Sequence, residues 1–453
     1  LIKPLETRPP NDSFDPEASK MMLHLQRDRR ANMSRQFYSR RRILLPVLIL
    51  FLAMPPALFA QNNEPALPAA FAKTDYMILH RSALVADGHN DTAGRMLDEG
   101  IDISKRLADG NLDIPRLKEG GLDLPFFAAW VDPKYMSSGT GKNKNQSAER
   151  VQAMIDAVEK LAAANPHDVG FAKSAAEAEQ LIAESKIAIA MGIEGGHAIE
   201  NSLGELERFA RRGIRYMTLT WNNSLDWATS GKDEAEKKEL KFRGLTKFGR
   251  QVVRKMNELG VMVDISHVGV QTFWDALITT RKPVIASHSS VYALCPHFRN
   301  LRDDQIKAVA KNGGVILINF YAGFLDSTYD RKRAKYEPLL KKLRQQAVDA
   351  DGTFNQVKFG QLVQEQGNDE LNSLRPPLTL LIDHIEYIAK LAGPEYVGLG
   401  SDFDGVSALP QDMDDVTKLP LITKSLQQRG WSDDAIKKIL GGNFLRVWKA
   451  NEK

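Results

Sequence analysis

The segment ALVADGHND, residues 83–91, decides how this chain is read. Its apolar run stops on His89 and Asp91, two side chains with the chemistry of metal ligands. Four other segments repeat the event. IAIAMGIEGG (187–196) stops on Glu194, VMVDISH (261–267) on His267, PVIASHS (283–289) on His288 and VGLGSDFDG (397–405) on Asp402. Short runs rich in β-branched and apolar residues read as buried strands. Five such runs, each closing on a ligand at its C-terminal end, predict one site at one mouth of a parallel barrel.

Working outward, eight apolar runs can be counted: 83–88, 122–131, 187–193, 214–220, 261–266, 283–287, 313–320 and 397–401. Stretches of helical period separate them, most clearly 147–164, 203–212, 245–259, 302–312 and 378–392. This alternation predicts a (β/α)8 TIM barrel in the α/β class, with additional helices. An open doubly wound sheet is the alternative. It would hold the ends of the first, third, fifth, sixth and eighth runs too far apart to share a metal site, whereas a barrel brings them to one mouth. The charged segment 326–376 reads as a long insertion before the eighth strand, lying over or beside the mouth. Residues 425–452 read as closing helices, with Ser432 or Asp433 as an N-cap.

Composition narrows the function. The net charge is +4 and the basic residues are dispersed apart from one N-terminal cluster, so nothing calls for nucleic acid. The single cysteine, Cys295, excludes an intrachain disulfide and a cysteine-rich zinc site. Any metal must be held by histidine and carboxylate. Near the N-terminus, Arg40, Arg41 and Arg42 precede the apolar run 43–60, which polar residues follow. Residues 33–60 therefore read as a signal peptide, cut after Ala60, on an exported periplasmic or secreted protein. An uncleaved segment would be the one route to membrane association. Residues 1–32 read as a disordered extension or a mis-set start, and 61–453 as a single (β/α)8 domain.

His89 and Asp91 are two apart, so on a strand they face the same side. Glu194 ends a wholly apolar run, where an unpaired carboxylate is costly. Its neighbours Gly195 and Gly196 permit a tight turn. With His267 and His288, this is more ligand capacity than one four-coordinate zinc uses. Two Zn2+ per chain fit better, with manganese or cobalt as other occupants. Such a pair holds a hydroxide as nucleophile and polarises a carbonyl. Asp402 is placed to pass a proton from that nucleophile to a leaving amine, with Asp404 as its competitor.

DGHND, IEGGHAI, DISH, SHSSVYALCPHFRN and GSDFDGV, taken together and in order over roughly residues 75–450, resemble the membrane (renal) dipeptidase family of amidohydrolase-like metal-dependent hydrolases. The resemblance implies a binuclear zinc dipeptidase that often accepts a D-residue at the C-terminal position. It implies that His89 and Asp91 bind the first zinc, His267 and His288 the second, and Glu194 both. It makes Asp402 the acid/base group and Arg299 the grip on the dipeptide's carboxylate. It also implies a homodimer. One position departs: in LTWNNSLDWATS, Trp221 stands where the family has a histidine that contacts the substrate carbonyl. Asn222 or Asn223 is then expected to supply an amide donor.

Trp221 keeps a second enzymatic reading open, a related N-acyl amino acid, amide or lactone hydrolase. A third reading is a non-catalytic exported protein with a structural metal. The remaining histidines, His197, His297 and His384, read as loop or structural groups. Asp264 reads as a hydrogen-bonding neighbour of the site, and Cys295 as an unreactive thiol.

Overall fold

Nine strands, all paired in parallel, form the centre of the molecule: β1 (Ala86–Asn90), β2 (Leu124–Trp130), β3 (Val169–Phe171), β4 (Ile187–Glu194), β5 (Ile214–Thr218), β6 (Met262–Asp264), β7 (Ile285–Ala286), β8 (Val315–Ile318) and β9 (Val397–Leu399). The computed structural model describes residues 75–136, 146–349, 352, 354–367 and 369–452. The expected extension and signal peptide lie outside them. The pairing order is β1-β2-β4-β5-β6-β7-β8-β9, with β3 attached beside β4. A parallel bridge between Asn90 and Phe403 joins the first strand to the chain just past the last. Ser401 N–H donates to Asp87 Oδ1 and Asp402 N–H to the His89 carbonyl across the same seam. The result is the expected (β/α)8 barrel.

All eight apolar runs became barrel strands. The ninth, β3, is three residues long and was not read from the sequence. Its VGF offers too short a pattern to separate from a loop. The predicted helices form as α1 (Gln146–Ala164), α2 (Leu203–Arg212), α3 (Lys247–Leu259), α4 (Asp303–Asn312) and α5 (Leu378–Ala392). Side-chain oxygens cap two of them: Ser202 accepts from Glu205 N and Thr246 from Gly249 N. Gly213, Gly260 and Gly313 end α2, α3 and α4 in the left-handed region. The closing segment holds α6 (Pro420–Gln428) and α7 (Asn443–Asn451), and Ser432 caps the short helix Asp433–Lys437 between them. No helix among the described residues is long and apolar enough to cross a membrane.

Two cores result. The outer one lies between strands and helices. The inner one fills the barrel and includes Phe126, Tyr216, Met262 and Leu317, with Phe444 and Trp448 of α7. The Phe126 ring packs 4.8 Å from Phe444 and 5.1 Å from Trp448, centroid to centroid. Tyr216 fits the interior because its neighbour on β4 is Gly192; a Cβ there would run into the phenol ring. The insertion folds into helices at Tyr329–Arg333, Glu337–Gln346, Gln356–Gln366 and Asp369–Asn372. It has a small core of its own around Leu340, Leu343 and Phe359, and meets the barrel's loops where Tyr329 packs with Ala322 and Ala408.

Candidate metal centre and active site

Strand register assembles the site. Trp130 pairs with Glu194, Glu194 with Thr218, Thr218 with Asp264, and Asp264 with Ile285. These residues end, or nearly end, their strands, so one layer of the barrel rim carries them all. His267, His288 and Asp402 follow within three residues of β6, β7 and β9. His267 (φ 65°) and Asp402 (φ 61°) hold left-handed backbone conformations. A non-glycine residue there costs about 1–2 kcal/mol, and such strain persists where surrounding structure holds it. Gly195, at φ 100°, makes the turn after Glu194.

Three imidazoles converge on one carboxylate. Glu194 Oε2 lies 3.4 Å from His89 Nε2. Glu194 Oε1 lies 2.9 Å from His267 Nε2 and 3.5 Å from His288 Nε2. The two oxygens thus face two different sets of ligands. Asp91 Oδ2 is 3.8 Å from His89 Nε2. His89, Asp91 and Asp402 offer ligand atoms within 4.8 Å of one another, as do His89, Glu194 and His288. All five expected metal ligands and Asp402 are therefore brought together.

Each imidazole is held from behind through Nδ1. His89 Nδ1 is 2.9 Å from Tyr216 Oη, His267 Nδ1 is 3.0 Å from Asn222 Oδ1, and His288 Nδ1 is 2.7 Å from Ser287 Oγ. An Nδ1–H donating to these oxygens leaves every Nε2 lone pair directed inward. Ser287 Oγ in turn donates to Asp264 Oδ2 at 2.6 Å, making a carboxylate–hydroxyl–imidazole chain. Asp264 also accepts from Thr218 Oγ1 and from the backbone of Ser266 and Ser287.

This donor set fits a cation. His89 Nε2 is buried without a hydrogen-bond partner. The Nε2 atoms of His267 and His288 lie 2.9 Å apart, a separation that two lone pairs tolerate only with a proton or cation between them. The charges agree. Burial and Glu194 push Asp91 well above the usual carboxylate range. Burial disfavours a charged His89, yet Glu194, Asp91 and Asp402 outweigh it and raise the ring to about 10. Burial and the Arg299 guanidinium lower His267 to about 3, and burial also holds His288 well below its ordinary value. The raised Asp91 and His89 mark negative charge crowded into a buried site, which a divalent cation would offset as it displaces their protons.

Asp402 is buried, and Asn319 Nδ2 donates to its Oδ2 at 2.8 Å. Burial raises its pKa, with the His89 charge opposing. Asp404, its competitor, is spent elsewhere: it accepts from Thr92 Oγ1 and Asn111 N, and lies 3.5 Å from Arg95. Arg299 is 5% exposed. It donates to the His288 carbonyl at 3.0 Å and to Ser289 Oγ at 3.4 Å. Among the described residues it makes no ion pair. Burial lowers it only to about 10, so it stays charged at neutral pH.

Trp221 borders the centre, its ring 6.3 Å from that of His267 and 5.3 Å from that of Trp130. The asparagines are engaged otherwise than the sequence suggests. Asn222 orients His267, and the Asn223 amide donates to Met136 Sδ. The Asn223 amide is thus committed, whereas the contact of Asn222 uses its Oδ1 and not its amide nitrogen. His384 bridges Val291 N and the Leu325 carbonyl, the structural role expected of it. His197 donates to the Val131 carbonyl, and His297 accepts from Arg299 N. Burial pushes the Cys295 thiol up to about 12, consistent with an unreactive group.

Sequence reasoning missed Tyr216, Ser287 and Asn319. A polar residue just before a ligand (Ser287), or just past an apolar run such as VILI (Asn319), is the signal that points to them.

Comparison with known proteins agrees with this fold. The chain resembles a probable dipeptidase, PvdM, from Pseudomonas aeruginosa: 24% identity, TM-score 0.65, covering 83% of this chain and 97% of that one. A metallo peptidase from Rhodobacter sphaeroides, liganded with a phosphinate mimic of the dipeptide L-Ala-D-Ala, matches at 24% identity and TM-score 0.64, over 82% and 99% of the two chains. A dipeptidase of peptidase family M19 matches at 24% identity and TM-score 0.64, over 82% and 98%. At these identities the likeness establishes the fold. The family follows from the sequence model for membrane dipeptidase, which matches residues 74–453. The chain belongs to the membrane dipeptidase family, peptidase family M19.

Proposed function

We propose that this metallo-dipeptidase works with two zinc ions and cleaves free dipeptides, including those with a D-residue at the C-terminal position. The observation that carries the reading is Glu194, whose two oxygens face His89 on one side and His267 and His288 on the other. That is the disposition of a carboxylate shared by two cations. His89 and Asp91 would hold one ion, and His267 and His288 the second. When bound, the ions lower the pKa of water toward neutrality and polarise the scissile carbonyl.

The chain's own residues do the rest. Asn319 fixes Asp402 Oδ2 and leaves Oδ1 to take a proton and return it to the leaving amine. Arg299, buried and without an acidic partner among the described residues, suits a bidentate grip on the substrate's terminal carboxylate. An anchor at fixed distance from the metal centre limits the substrate to two residues. Trp221 walls the site beside His267, and Asn222 keeps that ligand's ring in place. The phosphinate mimic of L-Ala-D-Ala bound by the Rhodobacter sphaeroides protein favours acceptance of a D-residue. Residues 33–60 favour export, periplasmic or secreted, and the family likeness favours a homodimer.

The test is hydrolysis of Ala-Ala in both C-terminal configurations beside an N-acyl amino acid, by zinc-loaded and chelator-treated protein. Zinc-dependent cleavage of the dipeptides alone is expected. Cleavage of the acylated amino acid in preference would replace this reading with the hydrolase that Trp221 leaves open.

A further inference from the structure

A cavity of about 340 Å³ adjoins the metal centre, with His267 and Arg299 in its wall. Ile265 and Phe273 give it apolar surface, and Arg243, Arg302 and Glu234 give it charge. Glu234 is already engaged. It accepts from Thr229 Oγ1 at 2.7 Å and from Val270 N at 2.9 Å, and lies 3.7 Å from Arg243. Arg302 is exposed, lies 4.1 Å from the Tyr292 ring centroid, and has no acidic partner among the described residues. Three arginines, Arg243, Arg299 and Arg302, thus line the cavity against one glutamate whose oxygens are committed.

From this we infer that the cavity receives the side chain of the substrate's C-terminal residue and selects an acidic one. The inference rests on the dipeptidase reading and names the substrate class within it. A dipeptide gripped through its terminal carboxylate at Arg299 has the adjacent α-carbon at the cavity wall. Its side chain then enters a space that already contains Arg302 and Arg243. Arg243 already shares Glu234, but a neutral side chain leaves Arg302 without a counter-charge, whereas a carboxylate completes charge-assisted hydrogen bonds with it.

The test compares kcat/KM for Ala-Glu with Ala-Gln, and for Ala-Asp with Ala-Asn, in both C-terminal configurations, using the zinc-loaded full chain. Each pair is nearly isosteric, so the ratio reports charge alone. The expected ratio is roughly tenfold or more in favour of the acid, the scale of one charge-assisted hydrogen bond. In the Arg243→Met, Arg302→Met double variant the ratio falls toward one. Arg302→Met alone, at an exposed position, gives an intermediate ratio and guards against misfolding of the double variant. A wild-type ratio at or below one overturns the inference, as does a ratio that the substitutions leave unmoved. Cleavage of Ala-Gln without preference sinks this inference and leaves the dipeptidase reading standing. Failure to cleave any dipeptide sinks both.

Discussion

His288 shows how much of the chemistry depends on residues behind the ligands. Its Nδ1 rests on Ser287, which rests on Asp264 on the neighbouring strand. His89 leans on Tyr216 and His267 on Asn222 in the same manner. The ligands themselves were legible, because a histidine or carboxylate that ends an apolar run is costly to bury unless a cation or a hydrogen bond holds it. Their supports were not, because serine, tyrosine and asparagine occur in many strands and turns for reasons unconnected with metal. The choice between Asp402 and Asp404 rested on position alone. Thr92, Asn111 and Arg95 now explain why Asp404 faces elsewhere. Asp402→Asn is accordingly expected to retain bound metal and lose turnover by about 10²–10⁴, the range for removing a general acid/base group. Metal analysis beside steady-state kinetics checks this; near-wild-type turnover would remove Asp402 from its role.

At the scale of elements, the barrel was legible because eight buried runs alternate with helices of clear period. β3 escaped because three residues carry no period. Packing inside the barrel was not legible either: Gly192 sits in an ordinary strand pattern, yet its missing side chain is what admits Tyr216 beneath His89. Gly192→Ala should cost about 1–3 kcal/mol through overpacking, read by denaturant unfolding. It should also weaken metal binding, as Tyr216 shifts from His89. Unchanged stability would show that the phenol ring has room to move. At the opposite end of the barrel, Asp123 precedes β2 and accepts from Val85 N at 2.9 Å. Burial raises its pKa to about 6, with that hydrogen bond and Arg81 opposing. The folded state therefore holds this proton more tightly than the unfolded chain does. The sign follows: Asp123 subtracts stability progressively as pH rises from its unfolded value through about 6, and subtracts nothing below both values. Asp123→Asn should be more stable than wild type at pH 8 and similar to it near pH 4. A variant less stable at pH 8 would show that the charged form is favoured in the fold.

Across the whole molecule, the strands of the barrel deliver ligands to a single rim from β1, β4, β6 and β7, and Asp402 from beyond β9. The first and last of these meet at the Asn90–Phe403 bridge. Metal binding and barrel closure therefore draw on the same residues, and a bound cation stabilises the fold through mass action. The central claim is that two metal ions, shared through Glu194, make this fold a dipeptidase. The most direct measurement titrates metal-stripped protein with zinc while following bound metal and Ala-Ala hydrolysis together. Two ions bound per chain, with hydrolysis complete only at the second, is the result this account predicts. Full hydrolysis at one ion per chain, or none with two bound, would contradict it.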